Sequence, residues 1–259
     1  MLGINKNHWQ RLNKQYLILK KVYKGFNLLS IFGVKKIKIF EKIIEIITYG
    51  KFDSYLKKSK GVIHIGASDG YERNLYKKYF VDKVIWVEAD PAAYEKLKEN
   101  ISIFKSHFAY NYLMTDKDNV EYKFSITSDN GQSSTIFNFE DHSKMYPTLK
   151  IKNEINLKSI TFKSFIKKYD INLKKFPSLV IDTQGSEKII LDGMGDLIKY
   201  FQFIKIETAE FNMYKNYPKL NEISEYLKKF NFEEIRRIET DLNDFNQKAY
   251  DVLFFNRNF

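Results

Sequence analysis

The stretch from Gly61 to Pro91, GVIHIGASDGYERNLYKKYFVDKVIWVEADP, most constrains what this chain can become. Gly61 to Ile65 is an apolar run that reads as a β-strand, and Gly66 to Gly70 is a turn of small residues. Glu72 to Phe80 reads as a helix, and Lys83 to Val87 as a second strand. In a turn without bulky side chains the backbone N–H groups can approach a ligand closely. The second strand runs into Glu88, 22 positions after Gly66. At that spacing a βαβ unit sets a carboxylate beside a ribose, where it accepts from two neighbouring hydroxyls and repels a 2′-phosphate.

Beyond this unit strands and helices keep alternating, which predicts a mainly parallel sheet covered on both faces. Ala92 to Asn100 reads as the second crossover helix and His107 to Met114 as the third strand, followed by Asp116. Residues 119 to about 162 break the alternation and are expected to form an insertion. It contains strands at Val120 to Thr127 and Ile155 to Phe162, with a polar turn at Ser128 to Ser134. Ser164 to Tyr169 resumes helix. Ser178 to Ile181 is a short apolar strand ending at Asp182, and Gly185 leads into a helix from Glu187 to Asp192. Phe203 to Ile206 is the next strand and ends at Glu207. Leu220 to Phe230 reads as a helix, and Phe232 to Ile238 with Ala249 to Phe255 as a hairpin pair at a sheet edge. The expected fold is therefore α/β, a Rossmann-like sheet with an antiparallel strand near the C-terminus and an N-terminal helical extension. The extension covers residues 1–58 and the main domain 59–259.

The 259 residues, 44% of them hydrophobic, suffice for one large domain with an appendage. The absence of cysteine excludes disulfides, thiolate metal sites and a Cys nucleophile. The formal net charge is +11, with Lys and Arg far outnumbering Glu41, Glu45 and Asp53 in the first 60 residues. Such a balance suits an anionic partner, or else lysines that only solvate the surface. Val34 to Tyr49 carries Ile37, Phe40, Ile43, Ile44 and Ile47 at helical spacing among lysines. This helix either packs on its own domain or a second subunit, or lies on a membrane surface. No apolar run reaches about 18 residues, and no secretory signal is evident. A cytoplasmic location is expected, at the inner membrane surface if the basic N-terminus engages it.

Four acids, Glu88, Asp116, Asp182 and Glu207, fall at the C-terminal ends of expected strands, where open α/β sheets bind ligands. Gly66 and Gly70 do not match the dinucleotide pattern G-x-G-x-x-G, and the phosphate-binding G-x-x-x-x-G-K-[ST] is absent. Asp69 within the turn is a poor neighbour for a pyrophosphate. A G-x-x-x-G turn beside acids suits a cofactor with a ribose, an adenine and a cationic sulfonium, S-adenosylmethionine.

From about Gly61 to Phe255 the chain resembles the FkbM-type family of S-adenosylmethionine-dependent methyltransferases. The resemblance rests on ordered blocks: HIGASDGYE at 64–72, VEADP at 87–91, NGQSS at 130–134, IDTQGSE at 181–187, IKIE at 204–207 and YDVLFF at 250–255. IDTQGSE matches the family's Asp-x-x-Gly-x-Glu block. The resemblance implies the class I methyltransferase sheet. It implies that Gly66, Ala67 and Gly70 border the methionine part of the cofactor, that Glu88 binds the ribose, that Ala89 packs near the adenine and that Asp116 accepts from its amino group. His64 stands where an acid is usual, and His64 with Glu72 is expected on the cofactor side. His64 reads more readily as a hydrogen-bonded strand-end histidine than as a base.

Asp182, Glu187 and Glu207 are the candidates for the reacting centre. Methyl transfer needs an aligned nucleophile and, for a hydroxyl, a group to take its proton. Asp182 is the expected base, or else a structural acid of its turn. Glu187 reads alternatively as a cap of its helix, and Glu207 either orients the substrate or only satisfies backbone amides. Ser133, Ser134, His142 and Tyr214 are acceptor-side candidates. No metal site is expected. The first expectation is an O-methyltransferase acting on a sugar hydroxyl, or a phosphorus-linked oxygen, of a surface glycan or its precursor. The glycan partner is anionic in one variant, and a homo-oligomer is compatible with the helical extension. A nucleic-acid methyltransferase is the alternative, although no base-methylation block or RNA-binding module is present, so no nucleic-acid partner is expected. A non-catalytic scaffold is the third reading.

Overall fold

In the computed structural model the described residues are 50, 52–139, 148–212, 214, 218–242 and 248–259. The expected helix Val34 to Tyr49, most of the N-terminal extension and His142 lie outside them.

Seven strands form one sheet: β1 (Gly61–Ile65), β2 (Lys83–Glu88), β3 (His107–Asn111), β7 (Ser178–Ile181), β8 (Phe203–Ala209), β9 (Phe232–Leu242) and β10 (Lys248–Asn256). Their order is β3-β2-β1-β7-β8-β10-β9. The pairs from β3 to β8 are parallel, and β10 runs antiparallel between β8 and β9. This is the mostly parallel α/β sheet with an antiparallel strand near the C-terminus. β1 and β7 are buried along their whole length, as expected of strands covered on both faces.

Side chains of alternate residues point to opposite faces and build two cores. On one face Ile63, Ile65, Ile85, Leu179, Ile181, Ile204 and Ile206 pack against helices α3 (Phe162–Lys168), α4 (Glu187–Met194) and α5 (Leu220–Lys228). On the other, Val62, Val84, Trp86, Val180 and Phe203 pack against Phe52, Tyr55 and Leu56 and against helices α1 (Arg73–Lys78) and α2 (Pro91–Ile101). The first turn of α2 follows from the sequence: Pro91 pre-sets the backbone, and the Asp90 side chain accepts from the Ala92 N–H at 2.8 Å. Asp90→Ala is expected to lower stability by about 1 kcal/mol, read from the urea midpoint.

Two of the boundary differences from the sequence expectation bear on the site. The strand expected over His107 to Met114 breaks at Tyr112. The Asn111 side chain donates to the carbonyls of Glu88 and Ala89 at 2.8 and 3.0 Å, which closes the β2–β3 ladder. The chain then enters a second, three-stranded sheet. There β4 (Leu113–Thr115) pairs with β6 (Ile151–Thr161), and β6 pairs with β5 (Glu121–Thr127). The second difference is at Phe162, which begins α3 and does not end a strand. The Thr161 hydroxyl caps that helix by accepting from the Ser164 N–H at 3.1 Å. No helix among the described residues is long and apolar enough to cross a membrane.

Candidate active site

The strand order reverses at β1, which pairs with β2 on one side and β7 on the other. A crevice opens outside the carboxyl ends of these strands. Gly66 and Ala67 both donate to the Val87 carbonyl, at 2.9 and 3.1 Å, so the turn is tied to the end of β2. Gly66 has φ +81°, and a Cβ there would sit 1.8 Å from the Asp182 carbonyl oxygen. Only glycine allows the β1 and β7 ends to approach this closely. Gly70 closes the turn through its N–H to the Ala67 carbonyl at 2.8 Å and lies against Leu97, behind the cleft.

Glu88 is buried at the end of β2. Its carboxylate accepts from the backbone N–H groups of Ser68 at 2.7 Å and Asp90 at 2.8 Å. Burial pushes this carboxyl up to about 7, against the pull of those amides. It faces the cleft. Ala89, Tyr112, Leu113, Met114 and Phe124 line the apolar end; Ser68, Gln132, Ser134, Asp182, Thr183, Gln184 and Ser186 contribute polar groups. Among the described residues, the lining includes the acids Glu88 and Asp182 and no lysine, arginine or histidine.

Three expected cofactor-side residues are placed elsewhere. Asp116 follows β4 in the small sheet, is exposed, and lies beside Gly193 of α4; the break at Tyr112 carries it away from the cleft. His64 points to the α1 side of the sheet because it alternates with Ile63 and Ile65. It is buried there, with Nδ1 2.9 Å from the Tyr76 hydroxyl and its ring stacked on Trp86 at 5.2 Å. Burial lowers its pKa to about 4, so it is a neutral core histidine. Glu72 stands at the start of α1, half-buried and outside the lining.

On the far wall, Asp182 follows β7 and opens onto the cleft. It is hydrogen-bonded to the Glu207 side chain. Burial raises both carboxyls, and Glu207 is pushed well above the carboxylate range by burial and then by the charge of Asp182. Gln184 bridges the two: Nε2 donates to Glu207 Oε2 at 2.7 Å and lies 3.4 Å from Asp182 Oδ1. Glu207 lies within β8, two residues before its end, and not at the terminus.

Glu187 does not face the cleft. Its carboxylate reaches back from the first turn of α4 and accepts from the Thr183 N–H at 3.0 Å, the Thr183 hydroxyl at 3.1 Å and the Gly185 N–H at 3.1 Å. A helix start attracts this charge, and Glu187 is the brace of the 183–185 turn. Tyr214 is likewise fully buried, and its hydroxyl donates to Gln184 Oε1 at 2.8 Å. Ser133 bonds Asp129 within its own turn at 2.6 Å, whereas Ser134 lines the cleft and accepts from the Thr127 N–H at 3.2 Å. Gly131, with φ +82°, lets this turn lie over Asp90 at the rim. Gln184, Thr183, Ser68 and Gln132 were not singled out from the sequence. The hint was that all four sit inside the blocks HIGASDGYE, NGQSS and IDTQGSE.

A family model for the methyltransferase FkbM domain matches residues 64–234. This chain belongs to that family. It is a methyltransferase, and its cofactor is S-adenosylmethionine. No curated protein matches the methyltransferase in sequence. Among solved structures it is similar to M. capricolum TrmK in complex with S-adenosyl-homocysteine, at 9% identity and TM-score 0.46, over 79% of this chain and 67% of that one. A protein of Listeria monocytogenes serotype 4b has 10% identity and TM-score 0.45 over 81% and 67%. Aeropyrum pernix fibrillarin with S-adenosylmethionine has 12% identity and TM-score 0.39 over 74% and 65%. Likenesses this distant say nothing about what the methyltransferase acts on.

The cleft residues fit the cofactor by their chemistry. Two of the acceptor positions on Glu88 are taken by backbone N–H groups, and the others can meet a pair of ribose hydroxyls. The lining acids suit a sulfonium cation, and Leu113, Met114 and Phe124 offer apolar surface to a purine. Bound S-adenosylmethionine supplies an electrophilic methyl group. Glu88→Gln is expected to weaken cofactor binding about ten- to a hundredfold in calorimetry, since hydrogen bonds to a charged group contribute about 1.5–3 kcal/mol. The wild-type affinity should fall as pH drops below about 7, because the ionised carboxylate is the binding form and protonation removes it. Glu88→Gln should flatten that dependence. A wild-type affinity that rises on acidification would reject the assignment.

Proposed function

We propose that the methyltransferase is an O-methyltransferase whose acceptor is a sugar hydroxyl of a glycan or glycan precursor, and that Asp182 takes the proton of that hydroxyl. The observation that carries this reading is the Asp182–Glu207 carboxyl pair at the cleft wall, across from Glu88. A hydroxyl is a weak nucleophile until its proton has somewhere to go, and a base held in hydrogen-bond reach provides that. Burial raises the proton affinity of Asp182 towards the working pH, which favours general-base behaviour. Ser134, Gln132 and Thr183 add neutral hydroxyl and amide groups of the kind that bond sugars. A phosphate or carboxylate at the same point would meet Glu88 and Asp182, so support is stronger for a neutral hydroxyl than for a phosphorus-linked oxygen.

The test is mass spectrometry of surface glycans from cells with and without the protein. Loss of one O-methyl group from a defined sugar is the expected result. Unchanged glycans, together with tight RNA binding that weakens steeply with salt, would overturn the reading.

A further inference from the structure

We propose that Gln184 is the positioning residue of this active site: pinned by Tyr214, its amide bonds both members of the Asp182–Glu207 carboxyl pair, keeps Asp182 facing the acceptor and stabilises the singly ionised pair. The proposal rests on the reading of Asp182 as the base.

The argument starts with the orientation of the amide. The Tyr214 hydroxyl donates to Gln184 Oε1 at 2.8 Å. Burial pushes that phenol far up, so it stays a donor. The amide nitrogen must then point the other way, towards Glu207 Oε2 at 2.7 Å and Asp182 Oδ1 at 3.4 Å. The N–H₂ group has one proton for each carboxyl. The backbone of Gln184 is held as firmly. Its φ is +54°, a left-handed conformation uncommon outside glycine, and Thr135 Oγ1 donates to its carbonyl at 2.7 Å. Next to it, Gly185 lies against the Tyr214 ring so closely that a Cβ would be 3.1 Å from it. Three separate segments thus converge on one residue: the turn after β7, the insertion through Thr135 on its backbone carbonyl, and Tyr214 before α5 on its side chain.

Two carboxyls in contact cannot both ionise freely and share one proton. N–H donors aimed at both stabilise the singly ionised pair. Charged groups act on the pair from several sides: Lys205 on β8, ion-paired with Asp251 on β10 at 3.0 Å, together with Glu72 and Glu187, while His64 stays neutral. Lys205 favours ionisation, whereas the acids oppose it. Against that background the neutral Gln184 amide is the group that reaches both carboxyls with N–H donors.

The experiment is infrared titration of the protonated-carboxyl C=O band in the full-length protein, with melting curves and cofactor calorimetry alongside. Wild type is expected to show a band component that persists above neutral pH, beyond the range in which Glu88 titrates, and this component is absent in Glu207→Gln. Gln184→Met, which keeps volume and removes both N–H donors, is expected to move the titration of that band up by about one pH unit or more. Tyr214→Phe should move it in the same direction by less. The proposal is overturned if Glu207→Gln removes no band, or if Gln184→Met titrates as wild type while melting normally. Should Gln184→Met not fold, an unmoved titration in Tyr214→Phe overturns it. A pair that titrates as expected while Asp182→Asn retains full turnover would reject the base assignment and leave Gln184 as the organiser of the pair.

Discussion

Asp182→Asn is expected to lower turnover of the true acceptor about 10²- to 10⁴-fold, the range that a positioned general base contributes. The asparagine oxygen can still accept from Glu207 and from Gln184, whose Nε2 lies 3.4 Å from Asp182 Oδ1, so the turn after β7 should survive. What is lost is the site that takes the proton of the acceptor. Cofactor affinity should change by less than about tenfold, since the Glu88 carboxylate and its two amide donors are intact. Single-turnover kinetics with saturating cofactor separate the two quantities. Full turnover in Asp182→Asn would leave Asp182 as a structural acid of its turn, the role that Glu187 already fills with three donors from residues 183 and 185.

Gly66→Ala is expected to cost about 3 kcal/mol or more of stability, the sum of a left-handed penalty and a backbone clash that cannot relax cheaply. The added Cβ would lie 1.8 Å from the Asp182 oxygen, 2.5 Å from its carbonyl carbon and 2.8 Å from Thr183 Cγ2. Relief requires the ends of β1 and β7 to part, and these carry the cofactor turn on one side and Asp182 on the other. Stability and cofactor binding should therefore fall together. The denaturation midpoint and calorimetry check this, and a variant that melts and binds as wild type would mean that the two strand ends are not in contact.

Much of this site can be read locally. The turn at Gly66, the carboxylate at Glu88, the Asp90–Pro91 helix start and the acid after Ser178 to Ile181 all follow from residue type and short spacing. Steric limits at glycine, caps and strand periodicity act over a few residues, so the chain carries them in plain order. The third strand was misread because its end is decided by the Asn111 side chain bonding back to Glu88 and Ala89, residues more than 20 positions away. Asp116 went with it. The family resemblance puts His64 with Glu72 on the cofactor side, while its strand position reads as a hydrogen-bonded histidine. Strand alternation sends its ring to the opposite face, where Trp86 and Tyr76 enclose it.

The sequence by itself determined that the chain builds a glycine turn and a ribose-type carboxylate at the edge of a parallel sheet, and it determined the family. Tertiary structure alone decided which acids share a cleft and what each one touches. Gln184 meets Glu207, Tyr214 and Thr135 across 23, 30 and 49 positions of chain. No local rule links residues so far apart. Hydrogen bonds of this kind exist only once the sheet order has brought β7, β8 and the insertion to the same edge, and burial has then made each donor and acceptor find a partner.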